Sequence, residues 1–271
     1  FQYPGGPPVR PYDAAGWTPA YTMGVQFDRI LEDVNGPFET LPYGEIQKAK
    51  PTFTTGAYYS FSTSDNASFT LLNDLLKAGV EVSKNASAFY VKHSAAAADI
   101  LAKASTKTQA LNALPASVSA KVGTKRVGLW DTYGGSMPSG WMRWIMEQFH
   151  FDAEVIYAQD IDKGNLKNKY DVIIFVGGAM PALSGASRSM SPKAEDIPEE
   201  FRKTIGSLSV EKSIPSLKNF LEDGGRIVTI GSSTSLAYHL KLPVSSSLTE
   251  IVNGTERNLP NEKFYIPGSL M

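Results

Sequence analysis

The stretch KRVGLWDTYGGSMPSGWMRWIMEQF, residues 125–149, decides the fold of this chain. Its first part, RVGLW, predicts a buried β-strand, because nearly every side chain is apolar. The Gly- and Ser-rich part that follows predicts a loop, and SGWMRWIMEQF predicts a helix. A buried strand that runs through a short loop into a helix is typical of the repeating unit of an α/β protein.

The same alternation continues to the end of the chain. AEVIYA, YDVIIFVGG and RIVTIG predict three more buried strands, and SIPSLKNFLEDGG predicts a helix that ends at glycines. Strands that are apolar on both faces and separated by helices indicate a parallel sheet covered on both sides. We therefore predict that residues 123–271 form a flavodoxin-like α/β domain with helices on both faces of its sheet.

The first half of the chain differs from the second in composition and in the structure that its sequence predicts. Residues 1–51 are rich in Pro, Gly and aromatic residues, which favours an extended connecting arm. Residues 52–122 predict a smaller β/α unit with strands in FTTGAYYSFS, VEVS and AFYVK. Two helices are expected there, in SDNASFTLLNDLLKAG and around residues 95–104. The stretch 105–124 predicts a connector without regular structure, since Pro115 interrupts any helix.

Composition excludes several classes of function. The 271 residues carry a net charge of −1, which gives no indication of a nucleic-acid partner. No apolar run approaches the roughly 20 residues that cross a bilayer. The chain has no cysteine, and its three histidines fall in no zinc-binding spacing. We therefore expect no metal site, no cofactor and no membrane span in this chain.

The loops after the predicted strands are the candidate ligand cleft, because parallel strands present their carboxyl ends at one edge of the sheet. The first loop has two interpretations. It can seat an anion at the helix start, or it can be a plain turn capped by Ser139. It matches neither the G-x-x-x-x-G-K-[ST] nor the G-x-G-x-x-G pattern. The candidate cleft residues are Asp131, Gly134, Gly135, Ser136, Gly177, Gly178, Ser232 and Ser233.

Two further features also have alternative interpretations. Trp141 and Trp144 lie on one side of the predicted helix, which favours packing in a core or a domain interface over stacking on a cofactor. The segment GGRIVTIGSSTSLAYHL has the strand-to-helix geometry of a nucleophile elbow, with Gly231 or Ser232 at its tip. A serine hydrolase assisted by His239 or Asp131 is one interpretation, and a serine-capped helix without catalytic residues is the other.

Two resemblances bear on these features. YDVIIFVGG and GGRIVTIGSSTSLA are similar to the oxyanion and nucleophile segments of class I glutamine amidotransferases. Gly231 stands where that family has its catalytic cysteine, and no counterpart of the family's later His and Glu follows. The domain thus resembles a degenerate, non-catalytic amidotransferase. RPYDAAGWTPAYTMGV, residues 126–149 and FYIPGSLM resemble the region downstream of the peptidase domain in large bacterial zinc carboxypeptidases of the carboxypeptidase A-like family.

The second resemblance implies a set of expectations. The chain would be an accessory region that packs on its own upstream peptidase domain, or that positions a peptide or cell-wall fragment for it. Zinc and proteolysis would belong to that peptidase domain and not to this chain. The parent protein would be a periplasmic or secreted metallocarboxypeptidase, and the family's domain would continue beyond Met271. A Ser232-dependent amide or ester hydrolase and an anion-binding module at residues 134–140 are the alternatives.

Overall fold

The computed structural model describes residues 26–28, 30–40, 42, 54–183, 192–260 and 263. The chain divides into two compact units. The larger unit comprises Pro51–Thr63 and Ala67–Val244, and the smaller comprises Phe1–Lys50, Ser64–Asn66 and Ser245–Met271. Most of the predicted arm, residues 1–51, lies outside the described residues, as does the whole FYIPGSLM stretch, residues 264–271.

Residues 58–122 of the larger unit form a five-stranded antiparallel sheet. Its strands are β1 (Tyr58–Ser62), β2 (Val82–Lys84), β3 (Ala88–Lys92), β4 (Thr108–Leu111) and β5 (Ala120–Val122), in the spatial order β4-β1-β3-β2-β5. Two helices, α1 (Ala67–Lys77) and α2 (Ala95–Leu101), accompany it. Leu72 and Leu75 of α1 are buried in one core with Tyr59 and Phe61 of β1. The apolar stripe of α1 therefore packs against the sheet.

The two outer strands of this sheet lie where the sequence predicts an unstructured connector, so that prediction is wrong. β4 pairs with β1, and β5 pairs with β2. Both strands are short, and most of their residues are exposed or only partly buried. Edge strands of this kind lack the apolar alternation from which a strand is recognised in a sequence.

Residues 127–229 form a four-stranded parallel sheet. Its strands are β6 (Val127–Trp130), β7 (Ala153–Ile156), β8 (Val172–Phe175) and β9 (Arg226–Thr229), in the order β7-β6-β8-β9. The helices are α3 (Met137–Gln148), α4 (Ala158–Asp162), α5 (Ser213–Glu222) and α6 (Leu236–His239). When the four strands are numbered along the chain, their spatial order in the sheet is 2-1-3-4, which is the flavodoxin-like arrangement. The predicted α/β fold class is confirmed.

The two faces of the parallel sheet differ in how completely they are covered. Ile173 and Phe175 of β8 are fully buried in one core with Leu217 and Phe220 of α5. The residues between them face the opposite side, since side chains alternate along a strand. There the register places Ile174 beside Val228 of β9, and Val228 is 45% exposed. Helix α3 therefore leaves part of this second face open to solvent.

The segment RIVTIG is not the doubly buried strand that its sequence predicts. Among the described residues its strand β9 pairs only with β8, so it forms one edge of the parallel sheet there. Along β9 the side chains alternate between exposed and partly buried, with Arg226 and Val228 exposed. Apolar residues alone do not distinguish an edge strand from a central one, because both faces of this strand still carry Ile or Val.

In the smaller unit the described regular structure includes a hairpin of β10 (Thr249–Val252) and β11 (Thr255–Asn258). Asn253 and Gly254 both have positive φ, 52° and 75°. An Asn-Gly pair in this conformation makes the two-residue turn that matches the twist of paired strands. Over the described parts of both units, no helix combines the length and the apolar character needed to cross a membrane.

Candidate functional site

The candidate cleft lies at the carboxyl edge of the parallel sheet. Asp131 follows β6 directly, Gly177 and Gly178 follow β8, and Ser232 follows β9. The three strands are parallel neighbours, so these segments emerge at the same edge. The chain order changes direction between β6 and β8. In folds of this class that position is where ligands bind.

The loop after β6 is organised by the carboxylate of Asp131. Its Oδ1 atom accepts hydrogen bonds from the backbone N–H groups of Thr132 and Ser136, both at 2.8 Å. Gly134 and Gly135 have φ of 80° and 77°, a conformation that residues with a side chain rarely adopt. The glycines thus let the backbone turn back so that Ser136 reaches the Asp131 carboxylate.

This arrangement bears directly on the predicted anion seat. Ser136 is the N-cap of α3, and its Oγ accepts from the Ser139 N–H at 3.3 Å. The Gly140 N–H donates to the Ser136 carbonyl, and Pro138 has no N–H. The capping hydroxyl is therefore that of Ser136, and the prediction that Ser139 caps the helix is wrong. Asp131 itself supplies the negative charge that the loop donors can bind, so an external anion would have to displace a carboxylate.

Asp131 also influences the neighbouring Tyr157. Burial raises the pKa of the Tyr157 phenol, and the charges of Asp131 and Asp160 raise it further. Both effects disfavour the phenolate. Tyr157 is therefore neutral at physiological pH and can donate a hydrogen bond at this rim of the sheet.

The loops after β8 and β9 are joined by two adjacent serines. The Gly178 N–H donates to Ser232 Oγ at 2.9 Å, and the Ala179 N–H donates to Ser233 Oγ at 3.2 Å. Ser233 Oγ in turn donates to the Val176 carbonyl. Ser232 is exposed, whereas Ser233 is completely buried. Of these two predicted cleft residues, only Ser232 presents its hydroxyl to solvent.

The elbow has the predicted backbone but a different set of side-chain contacts from a hydrolase. Gly231 has φ of 61°, and a Cβ built on Gly177 would lie 3.7 Å from Ser232 Oγ. His239 Nε2 lies 3.0 Å from the Pro181 carbonyl oxygen. A carbonyl oxygen can only accept, so Nε2 carries the proton and donates this hydrogen bond. Within the described residues no hydrogen bond joins Ser232 to His239, and Ser232 Oγ accepts from the N–H that an oxyanion hole would use.

The tryptophan helix α3 does not bury its aromatic side chains. Trp141 is 62% exposed and Trp144 52%, and their rings contact edge to face with centroids 5.9 Å apart. Ile145 on the same helix is 42% exposed, while Met146 is buried. The interpretation as core residues is wrong. The interpretation as an interface remains a prediction.

Each of the three histidines has a polar contact with a neighbouring described residue. His93 Nδ1 lies 2.6 Å from the Tyr59 hydroxyl, and His150 Nδ1 lies 2.6 Å from Asp74 Oδ1. No cluster of three His, Cys, Asp or Glu side chains that could hold a metal ion occurs among the residues that the structure describes. The described part of the cleft thus offers backbone N–H groups, hydroxyls and the Asp131 carboxylate as its chemistry.

An ionic cluster that was not predicted from the sequence lies at the opposite edge of the sheet. Asp171 accepts from the backbone N–H, Nε and Nη2 of Arg126 and from Lys167 Nζ. The hydrogen bonds from Arg126 and Lys167 hold the pKa of the Asp171 carboxyl well below its usual range. A signal was available, because Arg126 and Asp171 carry opposite charges at the beginnings of two predicted strands and directly precede β6 and β8.

No family model matches the chain. The curated proteins and the solved structures likewise contain no significant match. Function must therefore be inferred from the chemistry of the described residues together with the sequence motifs.

Proposed function

We propose that this chain is a non-catalytic accessory region of a zinc metallocarboxypeptidase that packs on the peptidase domain of its parent protein. The observation that carries the proposal is the exposed aromatic surface of α3, formed by Met137, Trp141, Trp144 and Ile145. All four are more than 40% exposed, from 42% for Ile145 to 79% for Met137. Monomeric proteins rarely leave such a contiguous apolar group in water.

The composition of this surface fits a protein partner. Tryptophan and arginine are enriched among residues that dominate binding energy, and Arg143 lies between the two tryptophans in the sequence. Arg143 Nε donates to the Glu147 carboxylate, one turn along α3, at 2.9 Å. Methionine is also enriched in interfaces. The four apolar residues would contribute the centre of a buried contact, and the Arg143–Glu147 pair its polar margin.

The contacts at the elbow support the non-catalytic part of the proposal. A serine nucleophile needs a base within hydrogen-bond reach and oxyanion donors that point at the substrate. Here the Gly178 N–H donates to Ser232 Oγ, and His239 bonds to the Pro181 carbonyl. The Ser232 hydroxyl and the His239 imidazole thus each form a hydrogen bond to the segment that follows β8. The carboxyl-edge cleft would then position a peptide or cell-wall fragment without reacting with it.

The parent activity, its zinc and its export to the periplasm or medium belong to the proposal through the sequence resemblance alone. These three parts of the proposal require one feature of the gene that is easily checked. The reading frame that encodes this chain must also encode a peptidase domain with an H-x-x-E motif and a later His. A reading frame without these zinc ligands would overturn the proposal.

The packing itself is tested by titrating the isolated peptidase domain with this chain and measuring the dissociation constant by calorimetry. We expect the double variant Trp141→Ala/Trp144→Ala to bind at least tenfold more weakly, since truncating an interface hot spot costs about 2 kcal/mol or more. Leu242→Ala removes an apolar side chain of similar exposure, 49%, outside α3 and should bind unchanged. Equal affinities for both variants would contradict the proposal.

The hydrolase alternative makes the opposite prediction for Ser232. If the chain hydrolyses amide or ester substrates by itself, the purified chain has activity without added metal, and Ser232→Ala abolishes it. Under the accessory proposal the chain has no such activity, and Ser232→Ala binds the peptidase domain as well as the parent chain does. Activity that depends on Ser232 would establish the alternative.

A further inference from the structure

A groove of about 680 Å³ opens in the larger unit at the amino ends of the parallel strands, on the edge opposite the candidate cleft. Val127, Val172 and Arg226 are the first residues of β6, β8 and β9, and they lie side by side in the sheet. They line the groove together with residues of α1, of α3 and of the antiparallel sheet. A volume of this size is typical of a small-molecule site.

The floor of the groove is apolar. It is formed by side chains from three separate elements, which are Leu72 and Leu76 of α1, Met142 and Met146 of α3, and Val172 and Ile174 of β8. Methionine side chains are unbranched and polarisable, so they adapt to flexible alkyl groups. Ile145, also on α3, extends the floor toward solvent and is 42% exposed.

The rim of the groove is cationic. Five basic residues line it, Lys77, Lys84, Lys121, Lys125 and Arg226, against a single acidic one, Asp152. Lys77 pairs with Asp152 and Lys121 with Glu81, both at 2.9 Å. Lys84, Lys125 and Arg226 form no ion pair with any residue that the structure describes. In a chain with a net charge of −1, this is a local excess of positive charge.

We propose that this groove binds a long-chain alkyl carboxylate, with the hydrocarbon on the apolar floor and the carboxylate at the cationic rim. The two halves of the ligand match the two halves of the groove. A peptide segment fits less well, because its backbone N–H and C=O groups would lie on Leu, Met and Val side chains that cannot bond them. A hydrocarbon chain requires no hydrogen bonds, and its burial is favourable by itself.

The test is a calorimetric titration of the full chain with laurate, below the concentration at which it forms micelles. We expect saturable binding to one site, with affinity rising up to about fourfold for each methylene added between octanoate and laurate. Dodecylammonium has the same alkyl chain and the opposite charge, and it should bind at least tenfold more weakly. Equal binding of the two amphiphiles would overturn the proposal, since it would reflect apolar adsorption alone.

Variants locate the site. Ile145→Asp places a carboxylate on the floor at an exposed position, so the chain should fold and lose at least tenfold in laurate affinity. Trp141→Asp is the matched control, because it introduces the same charge on α3 at a residue that does not line the groove. Circular dichroism of each variant establishes that it is folded. Unchanged binding by folded Ile145→Asp would overturn the proposal, as would an equal loss in both variants.

The rim is tested separately. The double variant Lys125→Gln/Arg226→Gln should weaken laurate binding severalfold and reduce its dependence on salt concentration. Lys218→Gln, an exposed change on α5 away from the groove, should leave both unchanged. A double variant that behaves like Lys218→Gln would contradict the assignment of the carboxylate to this rim. Ile145 and Trp141 also belong to the aromatic surface of α3, but every titration here uses this chain without a peptidase domain, so the outcomes are independent of the accessory proposal.

Discussion

Replacing Ser233 with alanine distinguishes a structural elbow from a catalytic one. Ser233 Oγ accepts from the Ala179 N–H and donates to the Val176 carbonyl, and all three residues are less than 5% exposed. Alanine removes both hydrogen bonds where water cannot replace them. The neighbouring Ser232 makes one bond, to the exposed Gly178 N–H, which water can bond instead.

The expected magnitude follows from these contacts. A buried hydrogen bond contributes about 1 kcal/mol to stability, and a buried group left unbonded costs about 1–3 kcal/mol. The Ala179 N–H keeps a long bond to the Val176 carbonyl, at 3.3 Å, which limits the loss. We therefore expect Ser233→Ala to lower the free energy of unfolding by about 1–2 kcal/mol. Ser232→Ala should change it by about 0.5 kcal/mol or less.

The assay is urea unfolding followed by circular dichroism, with thermal unfolding as a second measurement. In a domain of this size, Ser233→Ala should lower the Tm by about 3–6 °C. The slope of the urea transition should stay the same, because neither change alters the surface exposed on unfolding. A larger loss of stability in Ser232→Ala than in Ser233→Ala would refute the view that the buried serine holds the elbow.

Two further predictions concern the sheet and its ionic cluster. Gly225→Ala places a Cβ 2.4 Å from ring atoms of the buried Phe220, so it should lower the free energy of unfolding in urea by about 1–3 kcal/mol. Adding Phe220→Leu to this variant should recover part of the loss. Gly123→Ala, where a Cβ meets open space, is the control and should leave the free energy of unfolding unchanged. Asp171→Asn removes a carboxylate whose pKa the Arg126 hydrogen bonds lower. The stabilisation that the ionised Asp171 provides is complete above the unfolded pKa of about 4 and is lost as the pH falls below it. The variant should therefore be less stable than the parent near neutral pH, and the difference between their free energies of unfolding should shrink toward about pH 3. A difference in stability between Asp171→Asn and the parent that does not depend on pH would contradict this role of the Asp171 carboxylate.

The sequence predicts the central strands and helices of this fold because burial leaves a pattern there. β8 is a run of apolar residues between two turns, and the apolar residues of α1 recur at helical spacing. The edge strands do not leave such a pattern. β5 is exposed over two of its three residues, and its pairing with β2 depends on a partner almost forty positions away. Propensity within a short window does not contain that information.

The candidate site was predictable in its backbone and less so in its side chains. The glycines after β6, β8 and β9 indicate tight turns, and positive φ at Gly134, Gly178 and Gly231 agrees with that. The sequence does not predict which of the two serine hydroxyls is buried. Ser232 and Ser233 are adjacent and chemically identical, and only the direction of the short helix after β9 separates them. The tryptophans of α3 show the same limit, since periodicity defines a face without saying what covers it.

The ionic cluster before β8 should make the two edges of the parallel sheet unequal in their dynamics. Asp171 bonds Arg126 through its side chain, and its carbonyl accepts from the Arg226 N–H at 3.0 Å, so one residue joins the starts of three strands. Amides there should exchange with deuterium only through large, cooperative openings, whereas those beyond β8 exchange through local ones. If these openings are rare, the groove at the joined edge is preorganised, and a ligand that enters it would give up little further conformational entropy of the protein.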